Sequence, residues 1–598
     1  MYRGTWLLVG LPLLLAAFSV ARPEPLPSPP LPPTFDQESA RLLTEDLVLR
    51  YPRRAPGDLG PVNWVVEKFR LYGFRAERNR FSANIPGLGR RTLTNVVVRA
   101  PGRSSRVLVV TAHRDDVGAG QGADDNASGT AALVELARAY AQPEAAGAPP
   151  GRVRPSHTIL FVSTDGGAYG AIGAAHLAAE PSYRDRIAAV ISLDSLAGRS
   201  RARLVIDGDR PRTSSPVLVR TASERVLEET GEPARRDGAL AQLLDLAFPY
   251  STSEQAPFVA RGVAAVTLTT SPDRAVDPYG DTAATIDANR LGELGRAAQQ
   301  LLLSLDQGIE PGPSAAGYLY LGDRMLRGWA LQLVLVAMTL PFLAATVDLF
   351  ARCRRRRIAL GPAWRSLRTR LVVWAAVGLL FALLGLVGAW PDGIDRPIAP
   401  HTEAAGRWPV AGLVLLGIGS VLAWVPSRPR LVPRRPATAE EELAGHTVAL
   451  LALGLLALLV VVTNAYGLLL LLPALHAWLW LPQIRDRPSW LRGLVLLAGL
   501  AGPLLLVGSF AIRYGLGLDA PWYLAALLAV GYVPAAPALL FLGLAACTGQ
   551  LAALAAGRYA PYQPVTGRGP LRELVRRTVL AVRARRAGTD DDAQALGG

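Results

Sequence analysis

Two cysteines in 598 residues, Cys353 and Cys547, leave no disulfide framework and no cysteine-type zinc site. Lysine is nearly missing as well: Lys68 stands alone, so the excess positive charge is carried by arginine. Six histidines leave few imidazoles for metal or proton work. Only 19% of residues are charged against 50% hydrophobic, a balance that excludes an ordinary soluble chain of this length. The net charge of +15 does not point to nucleic acid, because the arginines are clustered in a particular way. RCRRRR at 352–357, RPRLVPRR at 428–435, the stretch 485–492 and the tail beyond Arg568 are basic. They alternate with arginine-poor loops such as PDGIDRPIAPHTEAAG, as loops on opposite sides of a membrane do. No nucleic-acid partner is expected.

From Trp329 to about Ala546 the chain is a series of apolar runs, and about 20 such residues at 1.5 Å each cross a bilayer. Seven spans are expected, at 329–350, 371–390, 409–425, 447–463, 467–481, 493–512 and 522–546. The first 22 residues read as a signal peptide or signal anchor, 23–38 as a Pro-rich linker, and 309–328 as a second linker. This threading makes an integral membrane protein with residues 39–308 outside the cytoplasm and a basic cytoplasmic tail at 557–598, its LRELVRRTVLAVRARR segment suited to a membrane surface. Within the spans Asp348 sits near an end and His476 is isolated, too little mid-depth charge for a transporter.

Residues 39–308 alternate strands with amphipathic helices. The strands are TNVVVRA, RVLVVTA, HTILFVST, IAAVISLD and GVAAVTLTT; the helices include SGTAALVELARAYA and NRLGELGRAAQQLLLSL. Near-continuous Val/Ile/Leu runs between helices predict an α/β fold, a mostly parallel central sheet with helices on both faces, followed by an all-α membrane domain. Such sheets bind ligands beyond the carboxyl ends of their strands. VLVVTAHRDD brings His113 and Asp115 to one strand end, GADDNASG brings Asp124 and Asp125 to a helix start, and VISLDSLAG brings Asp194 to a second strand end. His113, Asp124 and Asp194 are the expected metal ligands, suited to zinc, with Asp115 holding the other ring nitrogen of His113. Capping alone also accounts for Asp124 and Asp125, but leaves His113 and Asp194 unexplained.

Together HRD, GADDNASGTAALVELAR, SLDSLAG, SEQAPFVARGVAAVTL and DTAATID resemble, in order, the zinc aminopeptidases related to aminopeptidase Y and the bacterial leucine aminopeptidases. That family includes membrane-anchored members and non-catalytic relatives such as the transferrin receptor. The resemblance covers about residues 35–305 and implies a first zinc on His113 and Asp194 with Asp124 bridging to a second. It further implies that FVSTDGGAYGAIGAAHL puts Gly167 where the general-base glutamate stands and Ala168 at a second-site glutamate, and that Gln255 replaces the second-site histidine. One zinc is then expected rather than two, with Asp165 as the replacement base if hydrolysis survives; Glu254 is the other carboxylate able to reach inward. Two functions stay open: a metallo-exopeptidase acting on exported peptides, and a pseudo-peptidase binding a peptide or protein partner on the extracytoplasmic face.

Overall fold

Alternate residues along each predicted strand meet different cores, and this makes the α/β half a three-layer structure. A computed structural model describes residues 7–141, 154–274, 277–307, 309–393, 395–432, 436–557 and 578–580. Its main sheet has seven strands: β1 (Glu77–Ile85), β2 (Gly89–Ala100), β3 (Val107–His113), β4 (Thr158–Thr164), β5 (Ile187–Leu193), β6 (Arg203–Val205) and β7 (Ala264–Thr269). The order across the sheet is β1-β2-β4-β3-β5-β7-β6. The centre, β4-β3-β5-β7, is parallel; β2 and β6 run against it, and β1 pairs antiparallel with β2 at the edge. The sheet is therefore mixed, and the parallel character expected from the sequence belongs to its centre. TNVVVRA is as apolar as its neighbours but runs the other way, because it pairs with both the β1 hairpin partner and β4.

Val96, Val98, Leu108 and Val110 pack under the helices Gln37–Arg50, Leu59–Leu71, Gly129–Arg138 and Ala288–Asp306. Val97, Val107, Val109 and Leu160 pack on the other face against helix Ile172–Ala179 and Phe258. Period-two alternation thus buries both faces of one strand. At about 25 cal/mol per Å² of apolar surface, these two layers supply the main drive for folding the domain.

Neither proposed linker is a free spacer. In the Pro-rich stretch Leu26 N donates to Thr221 Oγ1 at 2.9 Å, and the backbone N–H groups of Thr34 and Phe35 both donate to Gln299 Oε1 at 2.8 Å. In the second, Tyr318–Leu321 and Arg324–Arg327 form a hairpin that pairs with Val20–Ala21, next to the N-terminal helix Leu7–Phe18.

Five described helices are long and apolar enough to cross a membrane: Gly328–Arg355, Gly361–Leu386, Glu403–Arg428, Ala439–Ile484 and Ala535–Ala555. Ser489–Gly499 and Ala501–Arg513 make a sixth if that pair, bent by 60°, is one span. The difference from seven lies in Ala439–Ile484, whose 46 residues contain both 447–463 and 467–481. At 1.5 Å per residue that run is about 70 Å long, more than twice the hydrocarbon thickness. Asn464 interrupts it with extended backbone (φ −155°, ψ 97°) and caps the short turn that follows. The segment expected on the membrane surface lies outside the described residues except for 578–580.

The two halves are packed together. Arg513, at the end of an apolar helix, forms ion pairs with Asp237 at 2.7 Å, Asp245 at 2.6 Å and Asp273 at 2.5 Å in the α/β half. Asn464 donates to Leu246 O at 2.9 Å, Tyr466 Oη donates to Ala316 O at 2.9 Å, and the hydroxyls of Tyr250 and Tyr523 lie 2.6 Å apart.

Candidate metal-binding site

At the carboxyl edge of the parallel strands a cavity of about 420 Å³ opens, lined by His113, Asp125, Asp194 and Glu254 and closed on one side by Pro400, His401 and Tyr514. His113 is the last residue of β3 and is buried. Its Nδ1 lies 3.0 Å from the backbone oxygen of Asp115, and its Nε2 faces Asp125 Oδ1 and Asp194 Oδ1, both at 3.5 Å. One nitrogen and one oxygen from each carboxylate lie within 4.8 Å of one another, the single such group among the described residues.

Asp125, not Asp124, completes this group. Across Ala123–Ser128 the backbone departs from a helix at Asp125 (φ −105°, ψ 92°), so neighbouring side chains diverge. Asp124 Oδ1 accepts instead from Ala197 N at 2.7 Å and from Ser128 Oγ at 3.2 Å. The turn is held from outside by Asp281 of the DTAATID motif, whose two oxygens accept from the backbone N–H groups of Asp124 (2.6 Å) and Asp125 (2.9 Å). Buried Arg54, which no local pattern singles out, donates to Arg114 O at 2.7 Å and Gln121 O at 2.8 Å and fixes the preceding loop.

The expected support of His113 by Asp115 takes a different form. The carboxylate is 3.7 Å from Nδ1, and it accepts from Gly167 N at 2.8 Å and Ala168 N at 3.1 Å. Asp115 thereby ties the 167–168 loop against the histidine. Asp165 is not placed as a base: its carboxylate pairs with Arg114 at 2.7 Å, accepts from Thr94 N at 2.9 Å and Gly57 N at 3.2 Å, and does not line the cavity. Both partners of that pair are buried, which makes it a structural link between strand ends. Gln255 faces away as well, accepting from Thr267 Oγ1 at 2.6 Å and donating to Asp207 O at 3.0 Å. Glu254 does reach the cavity, where Thr164 Oγ1 and Ser192 Oγ donate to it. Burial raises its pKa above the usual carboxylate range, with His113 opposing.

The electrostatics are those of a cation site. Enclosure deep in the pocket, and then the charge of Asp194, raise Asp125 to about 7. Burial would pull His113 down, but its bond to Asp194 and the charges of Asp115 and Asp125 lift it well above its ordinary value. Carboxylates crowded so tightly lack positive charge, and an imidazole nitrogen with two carboxylate oxygens is a donor set that zinc accepts.

His401 is the residue that the sequence pattern misses. It comes from PDGIDRPIAPHTEAAG, the loop before helix Glu403–Arg428, and its ring Nε2 lies 3.0 Å from Ala168 O, 233 residues away in the chain. Burial lowers its pKa, so it is neutral at pH 7. The one available signal was that an arginine-poor loop of the helical half carried one of six histidines.

The loop also explains the glycine. A Cβ at Gly167 would lie 2.2 Å from His113 Cβ and 2.3 Å from its Cγ, so any side chain there collides with the ring. Gly167→Ala is therefore expected to destabilise the chain by about 1–3 kcal/mol and lower its unfolding midpoint. Ala168→Ser serves as the control, and an unchanged midpoint for Gly167→Ala would mean that the ring moves aside freely.

Residues 95–302 match the model of Peptidase family M28. The chain is 27% identical to transferrin receptor protein 2 of Rattus norvegicus over 204 residues, which is 32% of this chain and 23% of that one. It is 30% identical to the Mus musculus protein over 148 residues, 25% of this chain and 17% of that one. It thus spans a quarter or less of the length of these relatives. Among solved structures, a glutaminyl cyclase from an Acidobacteriales bacterium aligns at 24% identity with TM-score 0.36, covering 48% of this chain and 99% of that one. A zinc aminopeptidase from Bacillus subtilis aligns at 13% identity with TM-score 0.37, covering 48% and 98%.

Proposed function

From a chain that carries a Peptidase family M28 domain over residues 95–302, we propose a membrane-embedded protein that holds one zinc ion and binds peptides without cutting them. The observation that carries this reading is Gly167 lying against His113: the position that the resemblance gives to the general base has no room for a side chain. Ala168 and Gln255 likewise leave a second ion without private ligands. His113, Asp125 and Asp194 would hold the zinc, whose chemistry there is that of a Lewis acid toward a carbonyl or carboxylate oxygen. Asp115 orients the 167–168 loop, and neutral His401 offers the pocket wall a hydrogen-bonding group beside the site.

One observation favours a second reading. Glu254 is a buried carboxylate with a raised pKa inside the same cavity, the kind of group that serves as a general base. The test uses the full chain purified in detergent, with elemental analysis and aminoacyl-anilide hydrolysis measured on one preparation. About one zinc per chain and no hydrolysis above background are expected. Hydrolysis that disappears in Glu254→Gln would instead make the protein a one-metal exopeptidase. Two tightly held ions would overturn the single-site reading.

The arginine distribution further supports a topology with residues 39–308 outside the cytoplasm and the C-terminus within it. This needs an odd number of crossings, which the chain reaches if Ala439–Ile484 reverses at Asn464 and the bent pair counts once. Reporters fused after Gln307 and at Gly598 are expected on opposite sides, and the same side for both would refute the topology.

A further inference from the structure

A second cavity, of about 1100 Å³, lies away from the metal-binding pocket, where the α/β half meets the helical half. Five arginines line it, Arg184, Arg210, Arg212, Arg261 and Arg396, against three aspartates. Their positive charge is incompletely matched. Arg396 is 7% exposed; its Nε donates to Gly170 O at 2.6 Å and its Nη1 pairs with Asp209, but its buried Nη2 has no hydrogen-bond partner among the described residues. Arg210 makes no hydrogen bond or ion pair from its side chain among the described residues. Partial burial lowers the pKa of Arg261, and although Asp209 opposes this, Arg210, Arg396 and Arg184 deepen it. Like charges held this close, with one donor aimed at nothing, are built for an anion.

Directly adjoining is a groove of about 390 Å³ between helices Ala439–Asn464, Leu468–Ala477 and Ala535–Ala555. Its walls in the helical half are hydrocarbon, among them Leu456, Val460, Leu471, Leu540 and Phe541. The two spaces meet at Asp209, Arg210, Tyr532 and Pro534, which line both. Along Ala535–Ala555 the groove reaches to Leu544, and about 9 residues at 1.5 Å each make a depth close to one leaflet of hydrocarbon.

We propose that this joined cavity and groove bind an anionic phospholipid, its phosphate among Arg210, Arg261 and Arg396 and one acyl chain in the groove. A free phosphate would use only the upper space, and a choline headgroup would bring a cation into a cavity already positive. The proposal rests on the helical half being membrane-embedded, as proposed above. A bound lipid would join the halves through Arg396, which bonds Gly170 O and whose own loop also carries His401 into the pocket.

The full chain in detergent micelles tests this by native mass spectrometry with phosphatidylglycerol, phosphatidylcholine of the same chains, glycerophosphoglycerol and inorganic phosphate. Phosphatidylglycerol is expected to be retained about tenfold or more over phosphatidylcholine, since each arginine near a phosphate contributes several-fold. Arg210→Glu, a change at an exposed and unbonded side chain, should remove most of that preference. Leu540→Trp, which fills the groove and leaves the arginines in place, should weaken lipid retention. Equal retention of both lipids, or displacement by glycerophosphoglycerol that is the same in wild type and Leu540→Trp, would overturn the proposal. Resistance of the wild-type chain to carbonate extraction, measured in parallel, separates that failure from failure of the membrane reading.

Discussion

Asp125→Asn is expected to strip the chain of its zinc, whereas Asp124→Asn is expected to leave most of it bound. The two residues are adjacent and of one type, so only geometry separates their roles. Asp125 offers an oxygen 3.5 Å from His113 Nε2, inside the three-ligand group. Asp124 Oδ1 accepts from Ala197 N and Ser128 Oγ, and its Oδ2 accepts from Thr270 Oγ1 at 3.4 Å. Losing a direct ligand should lower affinity by more than about 100-fold, while an outer partner typically costs 10- to 100-fold, and Asp124→Asn keeps an oxygen able to accept from Ala197. Competition with a chelator, followed by elemental analysis, reads both variants. Equal losses would put Asp124 in the ligand set, and a zinc content unaffected by Asp125→Asn would remove it.

Arg513→Ala is expected to be the most destabilising single change at the junction of the two halves. Three aspartates converge on this guanidinium, and Arg203 supplies a second cation, bonded to Asp273 and 3.8 Å from Asp237. Removing one partner of a largely buried ion network leaves uncompensated charge and costs about 3–5 kcal/mol. Arg513→Lys should recover only part of this, because a point charge on a flexible stem does not meet three carboxylates at once. Thermal unfolding of the detergent-solubilised chain measures the loss. Asp273 lies in the loop that also lines the metal-binding pocket, so if the pocket binds peptides as proposed, the alanine variant should lower that affinity too. A midpoint within the error of wild type would mean that the halves are held by their apolar contacts alone.

The two results bear on one design. The pocket belongs to the α/β half by its strands and to the helical half by its wall, since His401 and Tyr514 both close it. A soluble fragment ending near residue 307 would keep His113, Asp125 and Asp194 but lose that wall. The helical half is thus part of the wall of the pocket.

Local pattern was enough for a good part of this. Uninterrupted Val/Ile/Leu runs determined β2, β3, β4, β5 and β7, because a strand buried on both faces needs apolar residues at every position. The same residues placed His113 and Asp194 on one edge, since parallel strands end on the same side. Long apolar helices declared themselves by length. Side-chain direction did not: in the irregular turn at Ala123–Ser128 no period says which aspartate points inward, and the backbone angles of Asp125 decided it. Asp165 sits one residue beyond β4, where it could as well have faced the cavity; Arg114 and two backbone N–H groups turned it away. His401 and Arg513 lie 233 and 240 residues from Ala168 and Asp273, partners they meet only after the two halves pack. Contacts at that separation leave no trace in a window of neighbouring residues, because their energy comes from burial and charge pairing that exist only once the chain has closed.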